Sequence, residues 1–216
     1  MSEIIRVNGM VLSALPIGEN DKRVVIETCE LGKITAFARG SRRTGSTLMA
    51  AANPFAMGEF CIIPGRNSFR LTEASVKEYF RELTVSIPGV YVGFYFLDLA
   101  DFYGREGIDG TDILNLLYVS MKAILKAKID IRLIRRIFEL RLLYINGEYY
   151  PDRNAITESV YSVCRFITDT PLGKLYSFNG TPELIDSLGK ESDKALKRVL
   201  DRELKSKKIM EGLIEN

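Results

Sequence analysis

The chain contains no histidine. Histidine is the usual general base near neutral pH and the commonest metal ligand, so this sequence cannot build a histidine-based catalytic triad or a His/Cys zinc site. Cysteine is scarce as well: Cys29, Cys61 and Cys164 are widely spaced and odd in number among 216 residues. Three dispersed thiols cannot supply a four-cysteine site, and they argue for reduced, buried side chains rather than a disulfide framework. Long apolar runs are missing, the longest being Val90 to Leu97, far too short to span a bilayer. Met1-Ser2-Glu3 lacks a basic n-region, and the apolar residues behind it alternate instead of forming a continuous h-region, so a cytoplasmic location is expected. No charge of one sign dominates either, since 30 Lys and Arg oppose 28 Asp and Glu for a net charge of +2. Any nucleic-acid binding must therefore come from local clustering rather than from a global field.

What is present is the composition of a folded globular protein, 46% hydrophobic and 27% charged, with enough chain for one ordinary core or two small ones. Up to about Phe80 the pattern has the period of strands. Ile4 to Ala14, Arg23 to Cys29, Ile34 to Arg39, Gly58 to Ile63 and Phe69 to Tyr79 are five candidates separated by Gly, Asn and Asp turns. Five short strands in about eighty residues fit a closed barrel of the OB type, with Thr47 to Asn53 as a short helical or irregular crossover. The stretch Ala38-Arg39-Gly40-Ser41-Arg42-Arg43-Thr44-Gly45-Ser46-Thr47 puts three arginines into a glycine-punctuated loop directly after a strand. Guanidinium forks in a mobile loop suit phosphates, while a plain solvated turn fits the same residues.

After Pro88 the period lengthens to about three and a half, which predicts an α+β protein: an OB-fold barrel over residues 1–80, then an all-α helical domain over 81–216. Val90 to Tyr103 is apolar on nearly every side and reads as a central helix behind Pro88. Asp109 or Thr111 can cap a second helix through Leu125, and Asp130 a third that ends at Gly147. Weaker helices are expected over Ala155 to Thr168 and Thr181 to Leu188, and a charged terminal one over Lys190 to Met210.

In the third helix, Arg132, Arg135, Arg136 and Glu139 project to one face, and Ile134, Ile137, Phe138 and Ile145 to the other. Arg141 lands inside the apolar arc. Its permanent charge calls for a carboxylate, and Asp98 and Asp101 on the central helix offer one, so a buried Asp–Arg pair is expected there. Snorkelling of Arg141 to water is the competing reading. A hydrolase or nuclease whose acids, among them Asp98, Asp101, Glu106 and Asp109, bind a metal is one alternative, against which stand the missing histidine, the apolar setting of Asp98 and the lack of a close acidic pair on a strand end beside a phosphate-binding loop; a purely structural adaptor whose basic surfaces bind protein is another. Neither enzyme activity nor a metal or other cofactor is expected.

Five fragments in order carry a family resemblance: Leu15-Pro16-Ile17-Gly18-Glu19-Asn20-Asp21, Ala38 to Arg43, Asn53-Pro54-Phe55 with Gly58-Glu59-Phe60, Arg135-Arg136-Ile137-Phe138-Glu139-Leu140, and Leu204-Lys205-Ser206-Lys207-Lys208. Together they resemble the bacterial RecO family of recombination mediators. The resemblance implies an OB fold followed by a helical domain. It also implies a non-enzymatic role in DNA repair: binding single- and double-stranded DNA, annealing complementary strands, engaging the C-terminal tail of single-strand-binding protein, and acting with RecR to load RecA. Many members carry a four-cysteine zinc loop in the helical domain. Here the chain runs from Tyr149-Tyr150-Pro151 through Asn154 into Ala155 without one.

Within that frame, phosphate contacts are expected at Arg39, Arg42 and Arg43, with Arg66 and Arg70 from the fourth-to-fifth strand region on the same groove. Phe37 or Phe69 offers a stacking face, although both also fit the core. The Arg132, Arg135 and Arg136 face suits an acidic peptide that ends in an apolar residue, the resemblance pointing to Arg135 and Arg136; an Arg135 to Glu139 tie on a solvated face is the alternative. Lys197, Arg198, Lys205, Lys207 and Lys208 on the terminal helix form a possible second basic surface, interleaved with acids.

Overall fold

The computed structural model describes residues 3–214, so the leader reading at Met1 and Ser2 lies outside the described residues. The five expected strands are present as β1 (Ile5–Ile17), β2 (Asp21–Thr28), β3 (Gly32–Ala38), β4 (Met57–Pro64) and β5 (Phe69–Glu78). They close into a barrel in the order β1-β2-β3-β5-β4, antiparallel throughout except where β3 runs parallel to β5. The crossover helix α1 (Leu48–Ala51) lies between β3 and β4 as expected. Side chains alternate across each strand. Val24 and Ile26 of β2, Ile34, Ala36 and Ala38 of β3, Phe60 and Ile62 of β4 and Leu71 of β5 fill the interior. A bulge between Val11 and Ser13 resets the alternation of β1. Val7 and Val11 point inward before it, and Ala14 packs on the core after it, which turns Leu15 and Ile17 outward.

Six further α-helices follow among the described residues: α2 (Ile87–Tyr103), α3 (Thr111–Lys126), α4 (Ile131–Ile145), α5 (Glu158–Asp169), α6 (Pro182–Val199) and α7 (Lys205–Ile214). The caps fall where the sequence puts them. Asp109 accepts the backbone N–H of Thr111, Asp130 that of Arg132, and Thr181 that of Leu184. One expected break is absent: the helix expected to end at Leu188 continues through Gly189 to Val199, and the chain breaks only before Lys205. Gly189 serves packing rather than termination, since a Cβ there would sit 3.0 Å from the Arg136 guanidinium.

The chain divides into two compact units, residues 1–81 with 97–114, and residues 82–96 with 115–216. In the first, the C-terminal part of α2 and the loop after it cover one end of the outer β2–β3 face. Lys33 donates to the Asp101 carbonyl and pairs with its carboxylate at 3.2 Å, and Gly107 N–H reaches Leu31 O at 2.9 Å. Beneath this cover lies Glu27, 1% exposed, with Oε2 lacking a hydrogen-bond partner. The carboxyl presses against the backbone of Gly104 and Gly110, where any Cβ would collide with it. Burial, with Asp101 adding repulsion and Lys33 opposing both, pushes Glu27 up to about 8.

The second unit is built around α4, in which Leu133 through Leu140 are all buried. Phe138 stacks on Phe96 with ring centroids 3.8 Å apart. The opposite face of α4 is charged yet equally buried, because α6 and α7 bring the complementary groups. Glu139, fully buried, accepts from Arg135 Nε at 2.8 Å, Arg136 at 3.0 Å, Tyr95 Oη at 2.7 Å and Ser192 Oγ at 2.7 Å. Arg135 also reaches Glu211 of α7 at 2.7 Å, and Arg136 reaches Asp193 of α6 at 3.2 Å. Burial alone would raise the Glu139 carboxyl, but the two guanidiniums prevail and hold it down at about 2.

Arg141 differs from expectation. It pairs with neither aspartate; it donates instead to the carbonyls of Ile167 and Thr168 at the end of α5, and its Nε has no hydrogen-bond partner. Unsatisfied carbonyls at a helix C-terminus attract a cation as a carboxylate would, and Asp101 is engaged by Lys33.

Two outcomes follow for stability. Glu27→Gln should flatten the pH profile, because the raised carboxyl keeps its proton in the fold. The wild-type contribution is full below the ordinary value of 4.5, fades as pH rises towards about 8 and is then gone, at about 1.4 kcal/mol per unit of that interval. Urea unfolding at pH 5.5 and 8.5 would show the variant gaining on the wild type at the higher pH; parallel profiles would refute a protonated Glu27. Glu139→Gln strands two buried guanidiniums and should cost roughly 3–5 kcal/mol in urea unfolding at neutral pH, whereas a loss below about 1 kcal/mol would show the network to be dispensable. The wild-type contribution of Glu139 is present above 4.5 and lost as pH falls towards 2.

Candidate nucleic-acid interface

The arginine loop leaves the C-terminal end of β3, beside the β1–β2 hairpin turn, and is pinned rather than mobile. Gly40, at φ +66, turns the chain, and its N–H is held by Asp21 Oδ1 at 2.8 Å. The buried Ser41 hydroxyl closes back on Ala38 O at 2.8 Å. Arg42 N–H bonds Asn20 O at 2.9 Å, and its guanidinium reaches Gly18 O at 3.0 Å, so the loop is stitched to the β1–β2 hairpin turn. Such bracing presents side chains without an ordering cost on binding.

Arg39, Arg42, Arg43, Arg66 and Arg70 are all exposed. Among the described residues, the side chains of Arg39, Arg43, Arg66 and Arg70 form no hydrogen bond or ion pair within the chain, so their guanidiniums are available to an external anion. Arg39 and Arg70 line a shared cleft of about 530 Å³ with Phe37, Ile63, Pro64 and Phe69. Phe69 packs against the barrel core, while Phe37 lies on the outer face, half-buried. Lys22 is a further cation that the motif reading missed. It donates to Asn53 Oδ1 at 2.7 Å and Ala52 O at 3.1 Å, and burial together with the nearby Arg42 charge lowers its pKa. Its signal was the strand register, which sets Lys22 opposite Ala38 at the loop entrance.

The helical-unit candidates are arranged differently from expectation. Arg132 is half-buried and folded back on its own cap, Asp130, at 2.8 Å. Arg135 and Arg136 do not form an open face: they are 1% and 8% exposed, locked in the Glu139 network. The face was charged because a second charged surface covers it, not because it meets water. Lys197, Arg198, Lys205 and Lys208 are exposed, but on two helices rather than one, and Lys207 turns inward to Asp193 at 3.0 Å. A separate groove of about 680 Å³ runs between α3 and the segment after α5. It combines Lys122, Lys126 and Lys128 with apolar walls from Val119, Ile129 and Leu172.

Of the four acids considered for metal chemistry, Asp101 pairs with Lys33 and Asp109 caps α3. Cys61 and Cys164 are buried free thiols in separate units, and Cys29 follows β2. No helix among the described residues is long and apolar enough to cross a membrane.

Residues 1–80 match the family model described as Recombination protein O N terminal. Across the chain the similarity is to proteins named DNA repair protein RecO. That of Alkaliphilus metalliredigens is 33% identical over 144 residues, covering 67% of this chain and 58% of the relative. That of Caldicellulosiruptor saccharolyticus is 32% identical over 149 residues, covering 69% and 60%. The chain thus spans less than two thirds of the length of these two relatives. The Clostridium perfringens protein, at 24% identity, aligns over 98% of this chain and 99% of its own length. On these matches the chain belongs to the RecO family of DNA repair proteins.

Proposed function

We propose that this protein is a non-enzymatic recombination mediator that binds single- and double-stranded DNA through the arginine-bearing end of its barrel and promotes annealing of complementary strands. The observation that carries this reading is the set of guanidiniums at Arg39, Arg43, Arg66 and Arg70 without protein partners, Arg39 and Arg70 sharing one cleft and Arg42 and Arg43 carried by the braced loop. Phosphates satisfy such forks bidentately, and their neutralisation releases counterions. Annealing requires no bond making. A cationic surface lowers the repulsion between two polyanions and raises their local concentration.

The same reading places the protein in the cytoplasm at the nucleoid, working with RecR to load RecA onto DNA coated by single-strand-binding protein. In it, residues 1–80 hold DNA and residues 81–216 hold partners. An acidic tail ending in an apolar residue needs cations beside a greasy slot. Burial takes Arg135 and Arg136 out of that role, and the groove with Lys122, Lys126 and Lys128 supplies both features. The exposed Lys197, Arg198, Lys205 and Lys208 offer a second basic surface for DNA or a partner.

Annealing of complementary oligonucleotides coated with single-strand-binding protein tests the main claim. Arg42→Glu with Arg43→Glu should slow annealing and weaken DNA binding by about tenfold or more while the melting temperature holds; unchanged annealing would remove the rim as the site. For the tail, Lys122→Glu with Lys126→Glu should weaken anisotropy binding of an acidic tail peptide about fivefold or more, and undiminished affinity would exclude the groove.

A further inference from the structure

Glu27 of β2 is buried without the groups that would let it ionise in place. Its Oε2 has no hydrogen-bond partner, and the strand registers set it on the outer face between Met10 of β1, itself fully buried, and Lys33 of β3. Each neighbouring element brings little to a carboxylate. Lys33 is engaged by the Asp101 carbonyl and carboxylate, and Asp101 of α2 repels a second anion. In the loop after α2, Arg105 folds back on the Phe102 and Gly104 carbonyls, while Glu106, Asp109 and, at the start of α3, Asp112 are exposed acids. The end of β2 adds the Cys29 thiol and the exposed Glu30.

What covers Glu27 is the segment 104–110, and its fastening is slight. Three backbone hydrogen bonds tie it to the β2–β3 hairpin: Lys33 N–H to Arg105 O at 3.2 Å, Gly107 N–H to Leu31 O at 2.9 Å and Gly110 N–H to Cys29 O at 3.3 Å. Arg105 to Asp109 are all exposed, Ile108 at 62%, so the segment buries little apolar surface of its own and belongs to the least stable part of the unit. It seats this closely because Gly104 and Gly110 lack side chains, a Cβ at either falling 2.2 or 2.3 Å from a Glu27 carboxyl oxygen. A neutral acid fits that space. An anion there loses its hydration and gains no donor, and lifting the segment readmits water.

We infer that Glu27 and residues 104–110 form a pH-operated catch: the protonated acid lets the segment seat on the β2–β3 hairpin, and loss of the proton releases it locally while the barrel stays folded. The direction follows from the two environments. With the segment lifted the carboxyl is in water at its ordinary value of 4.5, and with the segment seated it is held at about 8, so the lifted fraction rises between these values and levels off above them. The turn between α2 and α3 is thus fastened to the barrel at mildly acid pH and loosened towards alkaline pH. Neither the arginine loop nor DNA enters this device.

Amide hydrogen exchange of the full chain, corrected for the intrinsic effect of pH, reads the catch at Gly107 and Gly110. Their opening equilibrium should grow about fiftyfold or more from pH 5.5 to 7.5, without dependence on dilute urea because little surface is uncovered. Glu27→Gln should remove the pH dependence and keep the segment seated. Corrected exchange that does not change with pH overturns the catch, and so does pH dependence that persists in the folded variant. Exchange matching that of Ile26 inside the barrel in rate and urea dependence overturns it too, since the segment would then open only with global unfolding. The first and last of these are read from the wild type alone, so they decide the matter even where Glu27→Gln fails to fold.

Discussion

A strand in a closed barrel has two sides and no third, and this alternation governs the N-terminal unit. Filling the interior with Val24, Ile26, Ile34, Ala36 and Ala38 obliges Arg23, Glu27, Lys33 and Phe37 to face outward. Those outward residues then meet two different fates along one pair of strands. At one end a helix segment buries Glu27 against Gly104 and Gly110, and at the other Arg23 and Phe37 stay open beside the arginine loop.

The second unit depends on a different device. Its central helix, α4, is buried all round although half its surface carries charge, so Arg135, Arg136 and Glu139 must satisfy one another together with groups from α6 and α7. Such a network contributes modestly to net stability relative to an apolar core, but breaking it is costly, which makes it a fastener of helix register. Gly189 belongs to the same device, because its missing Cβ leaves room for the Arg136 guanidinium.

Much of this was legible in the sequence, and the reasons for the rest are physical. Five strands, the crossover helix and the caps at Asp130 and Thr181 announce themselves through period and turn chemistry. The exposure of the arginine loop was equally readable, though its bracing by Asp21 and Asn20 was not, since those partners come from another strand and turn. Periodicity within α4 alone reads its charge as solvent exposure, because it cannot register the complementary helices packed upon it. Arg141 was given a carboxylate when the backbone carbonyls ending α5 meet the same need.

In the proposed function, guanidiniums of the loop after β3 and of the β4–β5 region hold the phosphates of DNA. The most direct measurement is the salt dependence of affinity for a single strand. If the five rim arginines each neutralise a phosphate, the logarithm of the binding constant should fall with the logarithm of salt concentration with a slope of about −3.5. A slope near zero, with measurable binding retained, would contradict it.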